Sequence, residues 1–257
     1  MSKPIRVLVT SGKGGVGKTS YATGLGLALS KRGHRTLMVD MDLDGPNCAR
    51  VLGVHGKSMV IDSFMHPVQV NGNLWLYAAD LHPFVADEHL PFVALGETHR
   101  MWLKEVLVAI DRSKMDYEYI IFDAPANHGD ELHTIAHLIG PPEHTILVSS
   151  PSLVSTDNVD GAIKALRELQ FPILGIIENF AFFACPCGCE KRFYLMGKGR
   201  AKELAIKNDI PFLGEQPITE SISLNADEGI PLNNPIIYDI VVKLETKRSF
   251  LSKLLGR

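Results

Sequence analysis

The sequence predicts an α/β fold, in which helices cover both faces of a doubly wound, mostly parallel sheet. Apolar runs rich in Val, Ile and Leu alternate with helical patterns along most of the 257 residues. Near-continuous apolar strands are typical of parallel sheets that are buried on both faces. A chain of this length can bury about 70–75% of its unfolded surface in one core, so we expect a single domain over residues 1–257.

The predicted elements alternate in chain order. The strands are the runs IRVLVT (5–10), RTLMVD (35–40), NLWLYAAD (73–80), YEYIIFD (117–123), HTILVSS (144–150), ILGIIEN (173–179) and PFLGEQ (211–216). The helical patterns cover 18–32, 98–114, 129–138, 155–170, 198–208 and 236–250. Ligand sites in such sheets collect at the carboxyl ends of the strands, so a site is expected in the segments that follow them.

The composition is that of an ordinary globular protein and excludes some classes of partner. Apolar residues make up 46% of the chain and charged residues 21%, and the net charge is −3. Without a basic run, nothing indicates a nucleic acid partner. The start MSKPIRVLVTSG does not resemble a signal peptide and no long apolar run is present, so we expect a cytoplasmic protein that does not bind membranes. The basic tail KRSFLSKLLGR is expected to form a helix that packs on the domain.

A phosphate-binding loop follows the first strand. Residues 11–20 are SGKGGVGKTS, which satisfies G-x-x-x-x-G-K-[ST] between a strand and a helix. Glycine lets successive backbone N–H groups converge on phosphate oxygens, and the helix N-terminus adds positive potential. Lys18 would neutralise the β- and γ-phosphates of ATP, and the Thr19 hydroxyl would bind Mg²⁺. The predicted ATP-binding residues of the loop are Gly12, Lys13, Gly14, Gly15, Val16, Gly17, Lys18, Thr19 and Ser20.

Lys13 makes this loop more specific. The pattern K-G-G-x-G-K-T resembles the deviant Walker A loop of the MinD, ParA and nitrogenase-iron-protein class of P-loop NTPases. The resemblance implies that Lys13 reaches across a dimer interface to the partner's nucleotide, and that Lys13, Lys18 and Asp42 are the catalytic residues. It also implies that Asn179, at the end of a strand, contacts the adenine edge with its amide.

Acidic side chains end two further strands beside the loop. The second strand runs into DMDLDGP, and carboxylates next to a triphosphate would repel it unless Mg²⁺ or water intervened. By resemblance to the class, Asp42 orients the attacking water, Asp40 supports the Mg²⁺ site and Asp123 holds Mg²⁺ through water. In related families a glycine stands at the position of Asn127, and its amide senses the γ-phosphate. We expect the replacement by Asn127 to affect the rate of ATP hydrolysis. Hydrolysis is expected to be slow, because ATP would serve to switch a dimer.

Three of the four cysteines lie within five residues, in ENFAFFACPCGCEKRF (178–193). The cluster of Cys185, Cys187 and Cys189 admits a disulfide, a redox pair, a zinc site or an iron–sulfur cluster. A reducing cytoplasm disfavours the disulfide, and so does the spacing, since Cα atoms two residues apart in an extended chain are roughly 6.5–7 Å apart. Thiolates two residues apart in an extended segment would point to one side. Cys48 is expected to be a small, partly buried hydrophobic side chain.

Several motifs in a fixed order carry a family resemblance. They are KGGVGKTS, the D-x-D-x-x-GP pattern at 40–46, DAPANHGD, ENFAFFACPCGC, MGKGRAKELA and DIPFLGEQPITESISLNADEGIPL. Together they resemble the Mrp/ApbC family of ATP-dependent iron–sulfur cluster carriers. The resemblance implies a homodimer in which two cysteines from each subunit hold a [4Fe–4S] cluster that is handed to apo-proteins. It implies that the cysteine loop 180–198 lies at the dimer interface.

The cysteine spacing departs from that family. The family signature has C-P-x-C, whereas here Gly188 stands at the second cysteine position and has cysteines on both sides. Two such segments facing each other offer up to six thiolates for a cluster that needs about four. A thiolate set across a dimer also suits zinc, and C-x-C in such an ATPase resembles a nickel-insertion ATPase, so a zinc or nickel metallochaperone is an alternative. A MinD- or ParA-like positioning ATPase is a further alternative, which the clustered thiols disfavour.

Overall fold

The computed structural model describes residues 3–43, 45–61, 64–82, 96–125, 130–185, 187, 189, 191–219 and 228–254. Its helices are α1 (Lys18–Lys31), α2 (Cys48–Val51), α3 (Gly96–Ser113), α4 (Asp130–Ile139), α5 (Leu153–Glu168), α6 (Arg200–Lys207) and α7 (Pro235–Leu254), with a 3-10 turn at Ala79–Leu81. Its strands are β1 (Ile5–Ser11), β2 (Thr36–Asp40), β3 (Val60–Ile61), β4 (Phe64–Met65), β5 (Val68–Asn71), β6 (Leu74–Tyr77), β7 (Tyr119–Asp123), β8 (His144–Ser149), β9 (Ile173–Glu178), β10 (Phe183–Ala184), β11 (Arg192–Phe193) and β12 (Phe212–Glu215).

Eight strands form one sheet in the order β12-β9-β8-β1-β7-β2-β6-β5. Neighbouring strands are parallel except β5 and β6, which pair antiparallel at one edge. Strands β2 and β7 are buried along their whole length, which is why their sequences are almost continuously apolar rather than alternating. The predicted mostly parallel α/β fold is confirmed.

Helices cover both faces of this sheet. Helix α1 leads from β1 to β2 in one direction along the sheet, whereas α3, α4, α5 and α6 lead to strands in the opposite direction. Because crossovers between parallel strands are right-handed, α1 lies on one face and the other four helices lie on the second face. The packing agrees with this arrangement, since α1 contacts α7, α3 contacts α4, and α5 contacts α6.

Some short elements were not predicted from the sequence. They are the β3–β4 and β10–β11 hairpins, whose strands have two residues each, and the antiparallel edge strand β5. A strand of two residues is too short to show an alternation of apolar and polar side chains. Helix α5 begins before the predicted residue 155, because the Ser152 hydroxyl caps it by accepting a hydrogen bond from the Ser155 amide.

Helix α7 packs along α1, and its last residues, 247–254, belong to the basic tail, which was predicted to form a helix. Ile237, Ile240 and Leu244 of α7 are buried in the core. Arg32, beside the end of α1, donates to the Glu245 carboxylate of α7 at 2.7 and 2.8 Å. None of the described helices is long and apolar enough to cross a membrane.

Candidate functional site

The glycine-rich loop lies between the end of β1 and the start of α1. Gly15 and Gly17 have left-handed backbone, with φ of 73° and 94°. A Cβ at Gly12 would lie 2.4 Å from the backbone carbonyl carbon of Asn158 in α5, and one at Gly17 would lie 2.3 Å from Nδ2 of Asn179. Only glycine fits such positions, so the loop keeps the open backbone that phosphate oxygens need.

The two lysines of the loop lie in different surroundings. Lys13 is exposed, and the Ser11 hydroxyl donates to its carbonyl oxygen at 2.7 Å. Lys18 is buried, and its charge acts on the Asp123 carboxylate. The exposed Lys13 is free to reach outward, whereas Lys18 is held inside the site. Of the other predicted loop residues, Gly14 and Gly15 are exposed, Gly12 and Val16 are buried, and Gly17, Thr19 and Ser20 are half-buried.

Two buried carboxylates stand side by side at the ends of neighbouring strands. Asp40 ends β2 and Asp123 ends β7, and the two are paired in register across the parallel strands. The Thr19 hydroxyl donates to Oδ2 of Asp123 at 2.6 Å. Oδ1 of Asp123 is buried and has no hydrogen-bond partner among the described residues. A buried anionic oxygen without a donor favours a cation beside it, so Thr19, Asp40 and Asp123 fit a Mg²⁺ site.

Asp40 also shapes the segment that follows it. Its Oδ1 accepts from the Asp42 amide at 3.0 Å, and its Oδ2 accepts from the amides of Asn47 and Cys48 at 3.1 and 3.0 Å. The half-buried Asp42 carboxylate accepts in turn from the Gly45 amide at 3.2 Å. Asp40 therefore holds this whole segment against the end of β2.

Burial changes the acidity of both carboxyl groups. The pKa of Asp123 rises to about 6, because burial disfavours its charge more than Thr19 and Lys18 favour it. Burial and then the charge of Asp123 raise the pKa of Asp40 well above its usual range. Two ionised carboxylates this close repel each other, so a divalent cation beside them would favour the ionised state of both.

Asn179 connects the glycine-rich loop to another strand end. It directly follows β9 and is buried, and its Nδ2 donates to the Val16 carbonyl oxygen at 2.9 Å. Its Oδ1 is buried and has no partner among the residues that the structure describes. That acceptor fits an amino group such as the exocyclic amine of adenine. The amide therefore contacts the loop through Nδ2 and keeps Oδ1 as an acceptor without a partner among the described residues.

The three clustered cysteines lie at the tip of the β10–β11 hairpin. The Sγ atoms of Cys185, Cys187 and Cys189 all lie within 4.8 Å of one another, and those of Cys185 and Cys187 are 2.9 Å apart. All three are free thiols, half-buried at Cys185 and exposed at the other two. Sulfur ligands of one tetrahedral ion, each about 2.3 Å from the metal, are about 3.8 Å apart. The thiols are therefore close enough to share a metal centre.

The cysteines converge through a reversal of the chain rather than along an extended segment. Strands β10 and β11 are antiparallel, and the Cys185 amide donates to the Lys191 carbonyl oxygen at 2.9 Å. This reversal brings together sulfurs that an extended strand would have spaced along its length. Pro186 and Gly188 lie outside the described residues.

The hairpin is attached beside β12, at the edge of the large sheet. The Ile218 amide, after β12, donates to the Phe182 carbonyl oxygen at 2.7 Å. Arg192 forms an ion pair with Glu215 of β12 at 2.9 Å, and its guanidinium lies 4.3 Å from the centre of the Phe182 ring. These contacts give the hairpin a fixed base and leave its tip exposed.

Cys48 differs from the sequence-based expectation. Instead of a partly buried hydrophobic side chain, it is a fully buried thiol whose Sγ lies 3.5 Å from Oδ2 of Asp123. Burial, followed by the charges of Asp40 and Asp123, raises the pKa of this thiol. No sequence signal indicated the contact, because it depends on how the segment folds back onto Asp40. Asn127 lies outside the described residues.

Comparison with known proteins assigns the chain to a family. A family model described as ParA, the NUBPL iron-transfer P-loop NTPase, matches residues 4–244. The chain belongs to this family. The match covers the glycine-rich loop, both carboxylate-bearing strands and the cysteine hairpin of this NUBPL-type P-loop NTPase.

Individual relatives agree with this assignment. The iron-sulfur cluster carrier protein of Aquifex aeolicus is 32% identical over 228 residues, which are 88% of this chain and 61% of the relative. The cytosolic Fe-S cluster assembly factor CFD1 of Eremothecium gossypii is 34% identical over 218 residues, which are 82% of this chain and 76% of the relative. The chain thus spans about three fifths to three quarters of the length of these relatives. The predicted resemblance to iron–sulfur cluster carriers is confirmed.

A solved structure resembles the fold as well. It is a nucleotide-binding protein from Archaeoglobus fulgidus, in complex with ADP and with Co found in it. The TM-score is 0.68 at 27% sequence identity, and the match covers 91% of this chain and 90% of the other. The chain therefore shares its fold with a nucleotide-binding protein of known structure.

Proposed function

We propose that this chain is an ATP-dependent iron–sulfur cluster carrier, which holds a [4Fe–4S] cluster as a homodimer and passes it to apo-proteins in the cytoplasm. The observation that carries the proposal is the convergence of three free thiols within 4.8 Å of one another on a hairpin tip, in a chain with a phosphate-binding loop. Iron–sulfur clusters are held by cysteine thiolates, and exposed ligands suit a cargo that must leave. Relatives named as an iron-sulfur cluster carrier and a cytosolic assembly factor support it.

In this proposal ATP and Mg²⁺ bind at the carboxyl ends of β1, β2 and β7, within one domain. Backbone amides of residues 12–20 bind the phosphates, and the buried Lys18 neutralises part of their charge. Thr19, Asp40 and Asp123 are the side chains that would hold Mg²⁺. When bound, that ion offsets negative charge on the phosphate oxygens.

The residues proposed for hydrolysis lie on the loop and on the segment after β2. Asp42 is half-buried, and its backbone is fixed by the Asp40 carboxylate, so its own carboxylate can orient an attacking water. The exposed Lys13 would act on the partner's nucleotide, where it stabilises negative charge on phosphate oxygens. Because the nucleotide serves to switch a dimer, we expect slow turnover.

A short segment links the nucleotide to the cysteines. Asn179 contacts Val16 of the glycine-rich loop, and the next residue, Phe180, has left-handed backbone with φ of 58°. The Ala181 amide then donates to the Gln216 carbonyl oxygen at 2.9 Å, at the base of the hairpin. A bulky residue at positive φ stores about 1–3 kcal/mol of strain, so a movement of Asn179 toward adenine would change the energy of this link. Nucleotide binding would in this way act on the hairpin base.

An exposed apolar surface beside the hairpin supports dimerisation. Leu153 and Val154, in the first turn of α5, are 58% and 59% exposed, and Leu195, which follows β11, is 67% exposed. The segment before α5 and the segment after β11 lie together, since a Cβ at Gly197 would be 2.6 Å from the Pro151 carbonyl oxygen. Large apolar side chains exposed together are typical of an interface.

Dimerisation through this surface would bring two cysteine hairpins face to face. Because a two-fold interface uses the same patch of both subunits, the loop 180–198 of each chain would contribute its thiolates to one shared cluster. Two thiolates from each subunit suffice for a four-iron cluster, so the third cysteine of each chain provides a spare ligand. A spare ligand would ease release of the cluster by exchange.

Anaerobic reconstitution with ferrous iron and sulfide tests the proposal. The expected product is a brown dimer with about four iron atoms per two chains and absorbance at about 400 nm, which loses its cluster to an added apo-protein. The control variant replaces Cys185, Cys187 and Cys189 with serine. It should keep ADP binding, because the glycine-rich loop and its carboxylates are unchanged, and it should lose the chromophore. Tight binding of zinc or nickel without any chromophore in the parent chain would refute the carrier proposal.

A further inference from the structure

Asp40, Cys48 and Asp123 form a second group of metal-binding side chains, separate from the hairpin. Two carboxylate oxygens and one sulfur of this group lie within 4.8 Å of one another. The exposed fraction is 1% for both aspartates and 0% for Cys48. The role proposed above for Mg²⁺ uses the two carboxylates and leaves the sulfur without a function.

The sulfur changes which cations this group favours. Mg²⁺ prefers oxygen ligands in octahedral geometry, whereas zinc, cobalt and ferrous ions accept sulfur together with carboxylate. Zinc lies about 2.3 Å from sulfur and about 2.0–2.2 Å from carboxylate oxygen, which in a tetrahedral site puts these two ligands about 3.5 Å apart. The Sγ of Cys48 lies 3.5 Å from Oδ2 of Asp123. The distance therefore suits two ligands of one such ion.

An unpartnered oxygen supports the presence of a cation at this group, independently of the sulfur. Oδ1 of Asp123 is buried and accepts no hydrogen bond from the part of the chain that the structure describes. A buried carboxylate oxygen without a donor is unfavourable by several kcal/mol unless a cation is near. An ion bound to the Cys48 sulfur and to both aspartates would lie beside this oxygen and satisfy it.

We propose that Asp40, Cys48 and Asp123 bind a thiophilic divalent cation of the zinc, cobalt or ferrous type, in competition with the Mg²⁺ of the nucleotide site. Binding forms a metal–sulfur bond and releases the Cys48 thiol proton to solvent, since the thiolate is the ligand. Thr19, which donates to Asp123 at 2.6 Å, joins this group to the glycine-rich loop. An excess of such ions would therefore hinder nucleotide loading. The competition with Mg²⁺ rests on the proposed role of Asp40 and Asp123 in the nucleotide site, whereas binding of the cation to the three side chains does not.

Cobalt is the probe, because a cobalt–thiolate bond gives a near-ultraviolet charge-transfer band that oxygen ligands do not give. The protein used is the full chain with Cys185→Ser, Cys187→Ser and Cys189→Ser, which lacks the hairpin thiols. It is titrated anaerobically with Co²⁺ in the absence of nucleotide. The expected result is a thiolate band that saturates at one ion per chain and fades when MgADP is added in excess. When Cys48→Ser or Cys48→Val is combined with the three serine substitutions, the band should disappear and Co²⁺ binding should weaken by at least about 10-fold.

Two results would overturn the proposal. One is the absence of a thiolate band in the three-serine background, and the other is a thiolate band that MgADP does not affect. Circular dichroism verifies that each variant is folded. The MgADP competition leaves Cys48 intact, so it remains decisive if both Cys48 variants fail to fold. Because the hairpin thiols are absent throughout, the outcome does not depend on whether the hairpin carries a cluster.

Discussion

Two glycines of the phosphate-binding loop offer a matched pair of substitutions. Gly15 and Gly17 both have left-handed backbone, with φ of 73° and 94°. A Cβ at Gly15 would meet nothing within 4 Å, whereas one at Gly17 would lie 2.3 Å from Nδ2 of Asn179. Gly15→Ala and Gly17→Ala therefore share the backbone strain and differ in the clash with Asn179.

The structure sets the expected size of both effects. Left-handed backbone destabilises alanine by about 1–2 kcal/mol, which is the expected loss of unfolding free energy for Gly15→Ala. Gly17→Ala also displaces the Asn179 amide, which donates to the buried Val16 carbonyl oxygen at 2.9 Å. Leaving those buried groups unpaired adds about 1–3 kcal/mol. The expected loss for Gly17→Ala is therefore about 2–5 kcal/mol.

Urea unfolding of the nucleotide-free chain, followed by circular dichroism, measures both losses. Asn179→Ala removes the clashing amide, so Gly17→Ala in that background should destabilise no more than Gly15→Ala does. Equal losses for the two single glycine substitutions would refute the reasoning. The reasoning would also be refuted if the losses of unfolding free energy for Gly17→Ala and Asn179→Ala were fully additive. Additive losses would mean that the Asn179 amide does not pack on the loop.

Three further substitutions test the site and its supports. Asp123→Asn removes a buried carboxyl group whose pKa is about 6 in the folded chain, compared with an ordinary value of 3.8. The substitution should therefore raise the unfolding free energy near neutral pH. In urea unfolding across pH this gain should shrink as the pH falls through that window, and a gain that stayed constant would contradict the burial argument. Arg192→Ala breaks the ion pair with Glu215 at the hairpin base, so it should lower cluster retention after reconstitution while calorimetry shows ADP affinity within about twofold of the parent. Glu178→Ala removes the carboxylate that accepts from the Ala201 amide at 2.6 Å at the start of α6, and it should lower the unfolding free energy by about 1–3 kcal/mol, whereas Glu178→Gln keeps an acceptor and should lower it less.

The nucleotide half of the site could be predicted because its chemistry lies in one continuous segment. Residues 12–20 carry the glycines, the lysine and the hydroxyl in a fixed spacing, and a strand and a helix flank them. Asp40 and Asp123 could be placed beside the loop because both end strands of a parallel sheet, where carboxyl ends meet at one edge. The contact of Cys48 with Asp123 could not be predicted, since it depends on two backbone amides that turn the chain back onto Asp40.

The cysteine site was predicted in its composition but not in its shape. Three cysteines in five residues predict that their thiols lie close together, and the three sulfurs do lie within 4.8 Å of one another. The hairpin that gathers them has strands of two residues, and its closing hydrogen bond from Cys185 to Lys191 spans a turn without any periodic pattern. The edge strand β5 was missed although its sequence VQVN alternates apolar and polar residues, because a run of four residues is a weak signal.

The order of strands in the sheet bears on how the protein is made. Strand β1 lies between β7 and β8, so the loop that follows β1 has no neighbouring strand until almost half of the chain has been synthesised, and its second neighbour comes after the midpoint. Contacts that are distant in sequence form slowly and only after the later segments have left the ribosome. Asn179, which contacts the loop, comes later still, and Cys185 follows it by only six residues. Asn179 and the first thiol of the hairpin therefore emerge almost together, but the hairpin gains its fixed base only when β12 follows about 30 residues later.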